Sequence, residues 1–398
     1  MQKRMKVLMC AYAVDNKDVG EAHLTWHWIN NISKYVDVTL ITMGSRINTT
    51  CGFEDHPNVK LCIVKPKITF RWTGAFDRVI KPDYVEFFFR AHKLAKQLVS
   101  QETFDVAHHI APHSPRYPTP LYGLGLKLLV GPLHGGLQMP SIFQSTRKAH
   151  FLRRLVTFID RIRQTYDPLM SAHFSSTNKL LVSAPYVKDA LPPQVADRVV
   201  VIPPQPPEQL EVAPDRVESE NLRLIFVGRL IESKGIRLAL EALAKVSSSN
   251  IEFNIYGRGP LEDELREFVN NKNLNSVVNF HGFVTHDDVL KAYYSADVLL
   301  FPSLKEAWGL AVSEAMAAGL ATICVDRGGP GYMIDEQCGK KIPIMEKDAM
   351  VSLIAEAIDE LAASPEKTKA MGMAAQARIA REFTWNRLVE KLLSLYKS

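Results

Sequence analysis

No stretch of this 398-residue chain approaches the roughly 20 consecutive apolar residues that a membrane-spanning helix needs. Cysteine is scarce as well. Cys10, Cys51, Cys62, Cys324 and Cys338 are scattered, odd in number, and free of any C-x-x-C pair or neighbouring histidines at zinc-finger spacing. That excludes a disulfide scaffold, gives no sign of a structural metal, and suits a reducing compartment. Charge of one sign is nearly balanced by the other. The 48 Lys+Arg against 43 Asp+Glu leave +5, which is compatible with anionic substrates or an anionic membrane surface but too little to argue for nucleic acid. Short-period repeats, low-complexity tracts and a D-x-D element are absent, and no G-x-G-x-x-G follows the first apolar run, which argues against a dehydrogenase. The opening Met1-Gln-Lys-Arg-Met-Lys, then Val7 to Ala13, imitates a secretion signal. Its apolar run is only seven residues, however, and Asp15 to Asp18 follow at once. A buried first strand and a cytoplasmic protein are the expectation.

What is present is ordinary globular composition, 46% hydrophobic and 23% charged, in a length that suits two domains of roughly 200 residues. Short apolar runs alternate with helical patterns, the signature of parallel sheets built from βαβ units. In the first half the predicted strands are 6–12, 37–42, 59–64, 105–109, 127–131, 179–182 and 198–202, with helices over 21–33, 84–99 and 148–166. Pro203-Pro204-Gln205-Pro206-Pro207 and the following 208–217 read as a linker, since such a run cannot continue a central strand or helix. The second half restarts with strands at 222–228, 251–256, 277–281, 298–301 and 321–325, each followed by a helix or a glycine-rich loop, and a last helix at 385–396. The expected boundaries are therefore 1–202, 203–383 and a terminal helix, 384–398, packing back on the first domain. The fold class is α/β: two Rossmann-like doubly wound domains facing a central cleft.

Ligands of such sheets sit beyond the carboxyl ends of the strands, so the residues just after each strand carry the functional reading. After 222–228 come Arg229 and Lys234, a guanidinium and an ammonium in the turn feeding a helix, suited to a diphosphate. Two unrelated cations on a solvated loop fit the spacing equally well. After 251–256 comes Gly257-Arg-Gly-Pro260, a tight turn but a poor dinucleotide fingerprint, because Glu262 stands where a third glycine belongs. After 298–301 comes a loop holding Glu306 and Gly309, then a helix with Leu310 and Glu314. Carboxylates suit sugar hydroxyls, amides at the helix start suit phosphate, and a buried Glu314 requires a partner. Gly328-Gly-Pro-Gly331 adds a fourth strand-end loop. The conjunction is far more specific than any member.

These residues resemble the retaining glycosyltransferases of family 4, which have GT-B architecture. The resemblance rests on Val227-Gly228-Arg229 through Lys234-Gly235, Tyr256-Gly-Arg-Gly-Pro260, Phe280-His-Gly-Phe-Val284 and Ala296 to Ser303. It extends to the E-x7-E element Glu306 to Glu314, continued to Gly319, and to Phe383-Thr-Trp385. It implies that Arg229 and Lys234 bind a donor diphosphate, Glu306 the donor-sugar hydroxyls and Glu314 the ribose. Phe283 and Val284 would line the base pocket, and Gly309 and Leu310 would meet phosphate or sugar, with Gly228 and Gly257 beside them. The first half matches more loosely. Gly20, in Val19-Gly20-Glu21, would approach the donor phosphate. His108 or His109, in Phe104-Asp-Val-Ala-His108-His109, would meet the reacting carbon, and Gly131 to Gly136 would form a second cleft loop. The family's Asn-Gly-Val-Asp is absent at the domain link, where the proline run stands instead.

The implied activity is transfer of a hexose-type sugar, with retention, from a UDP-sugar or GDP-sugar to a saccharide, lipid-linked or small-molecule acceptor. Two cations and two helix ends make a metal unnecessary, so no cofactor is expected. A sugar-nucleotide epimerase or phosphorylase on the same architecture, or a non-catalytic sugar-nucleotide-binding subunit, are the rivals. Two basic stretches, 147–163 and 65–81, could place the chain on anionic headgroups at the inner face of the cell membrane. A solvated helix face and an acceptor loop account for them as well.

Overall fold

The computed structural model describes residues 4–18, 20–43, 51–64, 82–143, 147–207 and 219–398. Val19, the basic stretch 65–81, linker residues 208–217 and the side chains of 147–156 lie outside the described residues. The chain divides into two compact units. The first comprises Met1–Gly136, Lys148–Pro204 and Val389–Ser398, and the second Leu137–Arg147 and Gln205–Leu388. Nothing in the composition of 137–147 suggested that this segment leaves the first unit. Met139 and Phe143 supply the reason: both pack against the apolar core of the second.

The first unit runs β1 (Lys6–Ala11), α1 (Glu21–Ile32), β2 (Asp37–Thr42), β3 (Val59–Ile63), α2 (Pro82–Gln101), β4 (Val106–Ala111) and β5 (Lys127–Leu133). It continues through α3 (Arg147–Tyr166), α4 (Pro168–Ser176), β6 (Lys179–Val182) and β7 (Val199–Val201). The strands form one parallel sheet in the order β3-β2-β1-β4-β5-β6-β7. Strand β1 sits at the centre, where Val7 to Ala11 are all fully buried. A strand covered on both faces has no polar side to present, so its sequence reads as an unbroken apolar run. Asp167 caps α4 by accepting the Leu169 amide, and Pro168 occupies the first turn, where no donor is needed.

The second unit runs β8 (Leu222–Val227), α5 (Ile236–Leu243), β9 (Ile251–Tyr256), α6 (Glu262–Asn271), β10 (Val278–Gly282), α7 (His286–Tyr294) and β11 (Val298–Phe301). Then come α8 (Leu310–Ala317), β12 (Ala321–Val325), α9 (Gly328–Met333), β13 (Gly339–Ile342), α10 (Lys347–Ala362) and α11 (Pro365–Glu382), while α12 (Trp385–Lys397) begins in the second unit and from Val389 belongs to the first. Its parallel sheet has the order β10-β9-β8-β11-β12-β13. In both sheets the order reverses beside the first strand, the switch point at which doubly wound folds bind ligands.

Three local differences from the sequence reading have physical causes. Gly328-Gly-Pro-Gly331 starts a short helix, held in place by the Gly329 amide donating to the Glu306 carbonyl at 3.2 Å. Strand β13 was unforeseen because its Gly-Lys-Lys-Ile sequence has a single large apolar residue. Strand β4 continues two residues past His109, which alters the reading of the first unit's histidines.

The last ten residues lie in the first unit. Tyr396, fully buried, bonds through its hydroxyl to His108 Nδ1 at 2.6 Å, and Lys127 Nζ donates to the Leu395 carbonyl at 2.5 Å. Trp28 anchors the proline run in the same unit by donating from its indole to the Pro204 carbonyl at 2.6 Å.

Candidate functional site

In the second unit the loops after β8 and β11 are laced together by backbone. The Ser233 carbonyl accepts the Leu304 amide at 2.9 Å and the Ser303 hydroxyl at 3.1 Å. Gly235 follows Lys234 with φ of 70°, and a Cβ there would lie 1.9 Å from the Pro302 carbonyl oxygen. Only glycine lets the two loops approach this closely. The consequence is a contact between residues 72 positions apart: Lys234 Nζ forms an ion pair with Glu306 Oε2. The ammonium also stands 5.3 Å from the centre of the Phe301 ring. Arg229, at the start of the same loop, is exposed and makes no ion pair among the described residues.

The second carboxylate of the E-x7-E element lies in a different environment. Glu314 is 7% exposed on α8, receives a hydrogen bond from the Tyr293 hydroxyl at 3.3 Å, and has His286 Nε2 at 3.9 Å. Burial, with Glu314 adding to it, pushes the Tyr293 phenol well above its usual range, so it stays a donor. Tyr293 is thus the partner that a buried Glu314 required, and nothing in the sequence spacing singled it out. Gly309 starts α8 and Leu310 is 41% exposed beside it. The Gly228 amide donates to the Tyr256 carbonyl and the Gly257 amide to the Gly282 carbonyl, which aligns the turns after β8, β9 and β10. Beyond β10, Phe283 is 77% exposed while Val284 packs against the core, and the Arg258 guanidinium lies alongside Gly282. The exposed Phe283 ring offers a flat surface for a planar ligand.

The first unit brings together a different histidine from the two expected. His108 is fully buried, with Nε2 against the Gly131 carbonyl and Nδ1 against the Tyr396 hydroxyl, and burial lowers it to about 4. His109 is 2% exposed, bonds from Nε2 to the Ala111 carbonyl, and is lowered by burial to about 3. Both belong to the strand and neither stands at its end. His113, two residues past β4, stands there. Its amide donates to Glu21 Oε1 at 2.6 Å, its ring meets the Pro132 carbonyl and the Thr25 hydroxyl, and it stacks on His134 with ring centres 4.9 Å apart. Gly20 precedes Glu21 with φ of 76° and open space beside its α-carbon. Ending β4 at Ala111 instead of His109 would have selected His113 from the sequence. Among the described residues, no group of three or more His, Cys, Asp or Glu side chains is placed to hold a metal ion.

Residues 210–378 match the model of the family described as glycosyl transferases group 1. An uncharacterized glycosyltransferase of Methanocaldococcus jannaschii is 28% identical over 182 residues, 46% of this chain and 46% of that protein. An amylovoran biosynthesis glycosyltransferase of Erwinia amylovora is 29% identical over 171 residues, 41% of each chain. The chain spans about half the length or less of these curated relatives. Over the whole chain the fold is that of the GT-B glycosyltransferases. Anabaena HepE, solved in complex with UDP and glucose, superimposes with a TM-score of 0.61 over 99% of both chains at 14% identity. The matched residues 210–378 contain the strand ends of the second unit described above, Arg229, Lys234, Glu306 and Glu314 included.

Proposed function

We propose that the chain is a retaining, metal-independent glycosyltransferase that moves a hexose-type sugar from a nucleoside diphosphate, UDP in preference to GDP, to a hydroxyl of a saccharide or lipid-linked saccharide. The observation that carries this reading is the Lys234–Glu306 pair, held between adjacent strand ends with Arg229 exposed beside it. A diphosphate arriving there meets one unpaired guanidinium and an ammonium it can share with Glu306. The second Glu306 oxygen is then available to sugar hydroxyls. Phe283 and Arg258 would flank the base, and Glu314, fixed by Tyr293, would accept from the ribose.

As the diphosphate departs, charge grows on its oxygens and an oxocarbenium-like charge on the sugar. Arg229, Lys234 and the amides at the start of α8 stabilise the first. The leaving phosphate can take the acceptor's proton on the same face, which gives retention. Preorganised donors of this kind each contribute on the order of 10²–10³ in rate. In the first unit, Glu21 and His113 are the groups proposed to meet substrate, in place of His108 and His109. The UDP and glucose bound to HepE and the amylovoran biosynthesis named for the Erwinia relative support a UDP-sugar and a glycan acceptor. A calorimetric screen of UDP- and GDP-sugars tests the donor assignment, because a selective binder stabilises the fold according to its affinity. Failure of every nucleotide sugar to raise the unfolding temperature overturns it.

A second reading concerns location. On α3, Phe158, Ile162 and Tyr166 recur every fourth residue and are 60%, 42% and 77% exposed, with Ile159 beside them at 46%. Arg161 and Arg163 flank the stripe, and 147–163 holds six Lys/Arg against one Asp. That pattern supports a reversible association with anionic headgroups. No described helix is long and apolar enough to cross a membrane.

A further inference from the structure

Half-buried arginines in the second unit are paired with carboxylates, with one exception among the described residues. Arg223 pairs with Asp297, Arg237 with Glu264, and Arg378 with Asp335. Arg327, just past β12, has no carboxylate partner. Its Nη2 donates to the Gln138 carbonyl at 2.8 Å, and its Nε is buried without any acceptor. The neighbouring carboxylate, Asp326, is taken by Lys341 at 3.1 Å. Loss of hydration lowers the Arg327 guanidinium, whereas the hydrogen bonds from Asp297 raise that of Arg223. A partly desolvated cation without a counter-charge is costly, and an anion supplied by a ligand would offset that cost.

The position of Arg327 indicates which ligand. The next residue, Gly328, is pressed against the Glu306 loop: a Cβ on it would lie 2.1 Å from the Glu306 carbonyl oxygen and 3.0 Å from Leu137. Arg327 is therefore adjacent to the loop assigned above to the sugar hydroxyls, and on a different strand end from the loop carrying Arg229 and Lys234. We propose that Arg327 recognises a carboxylate on a substrate sugar, so that this site takes a uronic acid. Planar and rich in donors, a guanidinium matches a carboxylate in two-point contact. The inference rests on the donor-site reading. The carboxylate can belong to the transferred sugar or to an acidic residue of the acceptor glycan.

Titration calorimetry of the full chain with UDP, UDP-glucose and UDP-glucuronate examines the donor source. The wild type is expected to bind UDP-glucuronate at least about tenfold more tightly than UDP-glucose, the scale of one charge-assisted hydrogen bond. Arg327→Gln should abolish that preference while changing UDP-glucose affinity by less than about twofold, and Arg327→Lys should retain part of it. For the acceptor source, saturation-transfer NMR with UDP present should detect methyl glucuronide, not methyl glucoside, on the wild type and neither on Arg327→Gln. Either pattern supports the proposal and names the source. Absence of a carboxylate preference in both arms overturns it. So does an equal loss of all three nucleotides in Arg327→Gln, which would assign the residue to the diphosphate or to holding Gln138. If UDP itself does not bind the wild type, the uridine-donor reading has failed and this inference with it.

Discussion

At the scale of single residues, the two carboxylates of the E-x7-E element lie in different surroundings. Glu306 is neutralised by a lysine at an adjacent strand end, whereas Glu314 is buried and held by a tyrosine. Lys234→Ala should lower kcat about 10²-fold and raise donor KM, with turnover on a nucleotide sugar as the measurement. Unchanged turnover contradicts the phosphate assignment. The same change strands Glu306, which is only 17% exposed, at a cost of about 1–3 kcal/mol in stability. A folded-state check by thermal melting separates the two effects. Glu314→Gln should weaken nucleotide affinity with little effect on kcat. An altered kcat at unchanged affinity would give Glu314 a part in the chemistry. The carboxylates, Arg229 and Lys234 were legible in the sequence because residues after strands can be listed one by one. Their partners were not, since Tyr293 and the Lys234–Glu306 contact depend on how loops far apart in sequence come together.

Among the elements, β4 decides which histidine stands at the strand end. Its two additional residues carry His108 and His109 into the sheet and leave His113 at the end. A period-based reading stops a strand where the apolar pattern breaks, and two histidines broke it here even though both are buried and hydrogen-bonded. His108 then has an architectural use, because it receives the last helix. Tyr396→Phe removes the hydroxyl bonded to His108 and should cost about 1–3 kcal/mol of stability, read from the urea midpoint, while leaving turnover intact. A loss of turnover without a loss of stability would return His108 to the catalytic site. On α3, Phe158→Ser with Tyr166→Ser should reduce co-sedimentation with vesicles containing anionic lipid. Equal sedimentation of wild type and variant would leave the stripe as a solvated helix face.

For the molecule as a whole, the parallel sheets were legible because βαβ units repeat the same alternation of short apolar runs and helices. The assignment of 137–147 to the second unit was not, because it rests on packing by Met139 and Phe143 and on no compositional break. The first unit also concentrates buried histidines. Burial lowers His108 to about 4 and His109, His134 and His173 to about 3, against the ordinary value near 6.5. Between those values the unfolded chain holds more protons than the folded one. Stability is therefore full above about pH 6.5 and is lost as pH falls toward 3–4, by up to about 1.4 kcal/mol per pH unit for each histidine. Urea midpoints should fall from pH 7 to pH 5, and a flat profile would contradict the buried neutral state. Titrating UDP and GDP into the wild type and Lys234→Ala tests whether the loops after β8 and β11 form the proposed nucleoside-diphosphate site. Saturable binding of one nucleotide is expected, weakened at least about tenfold by the substitution. Equal affinity in the two proteins, or no binding of either nucleotide to the wild type, would contradict it.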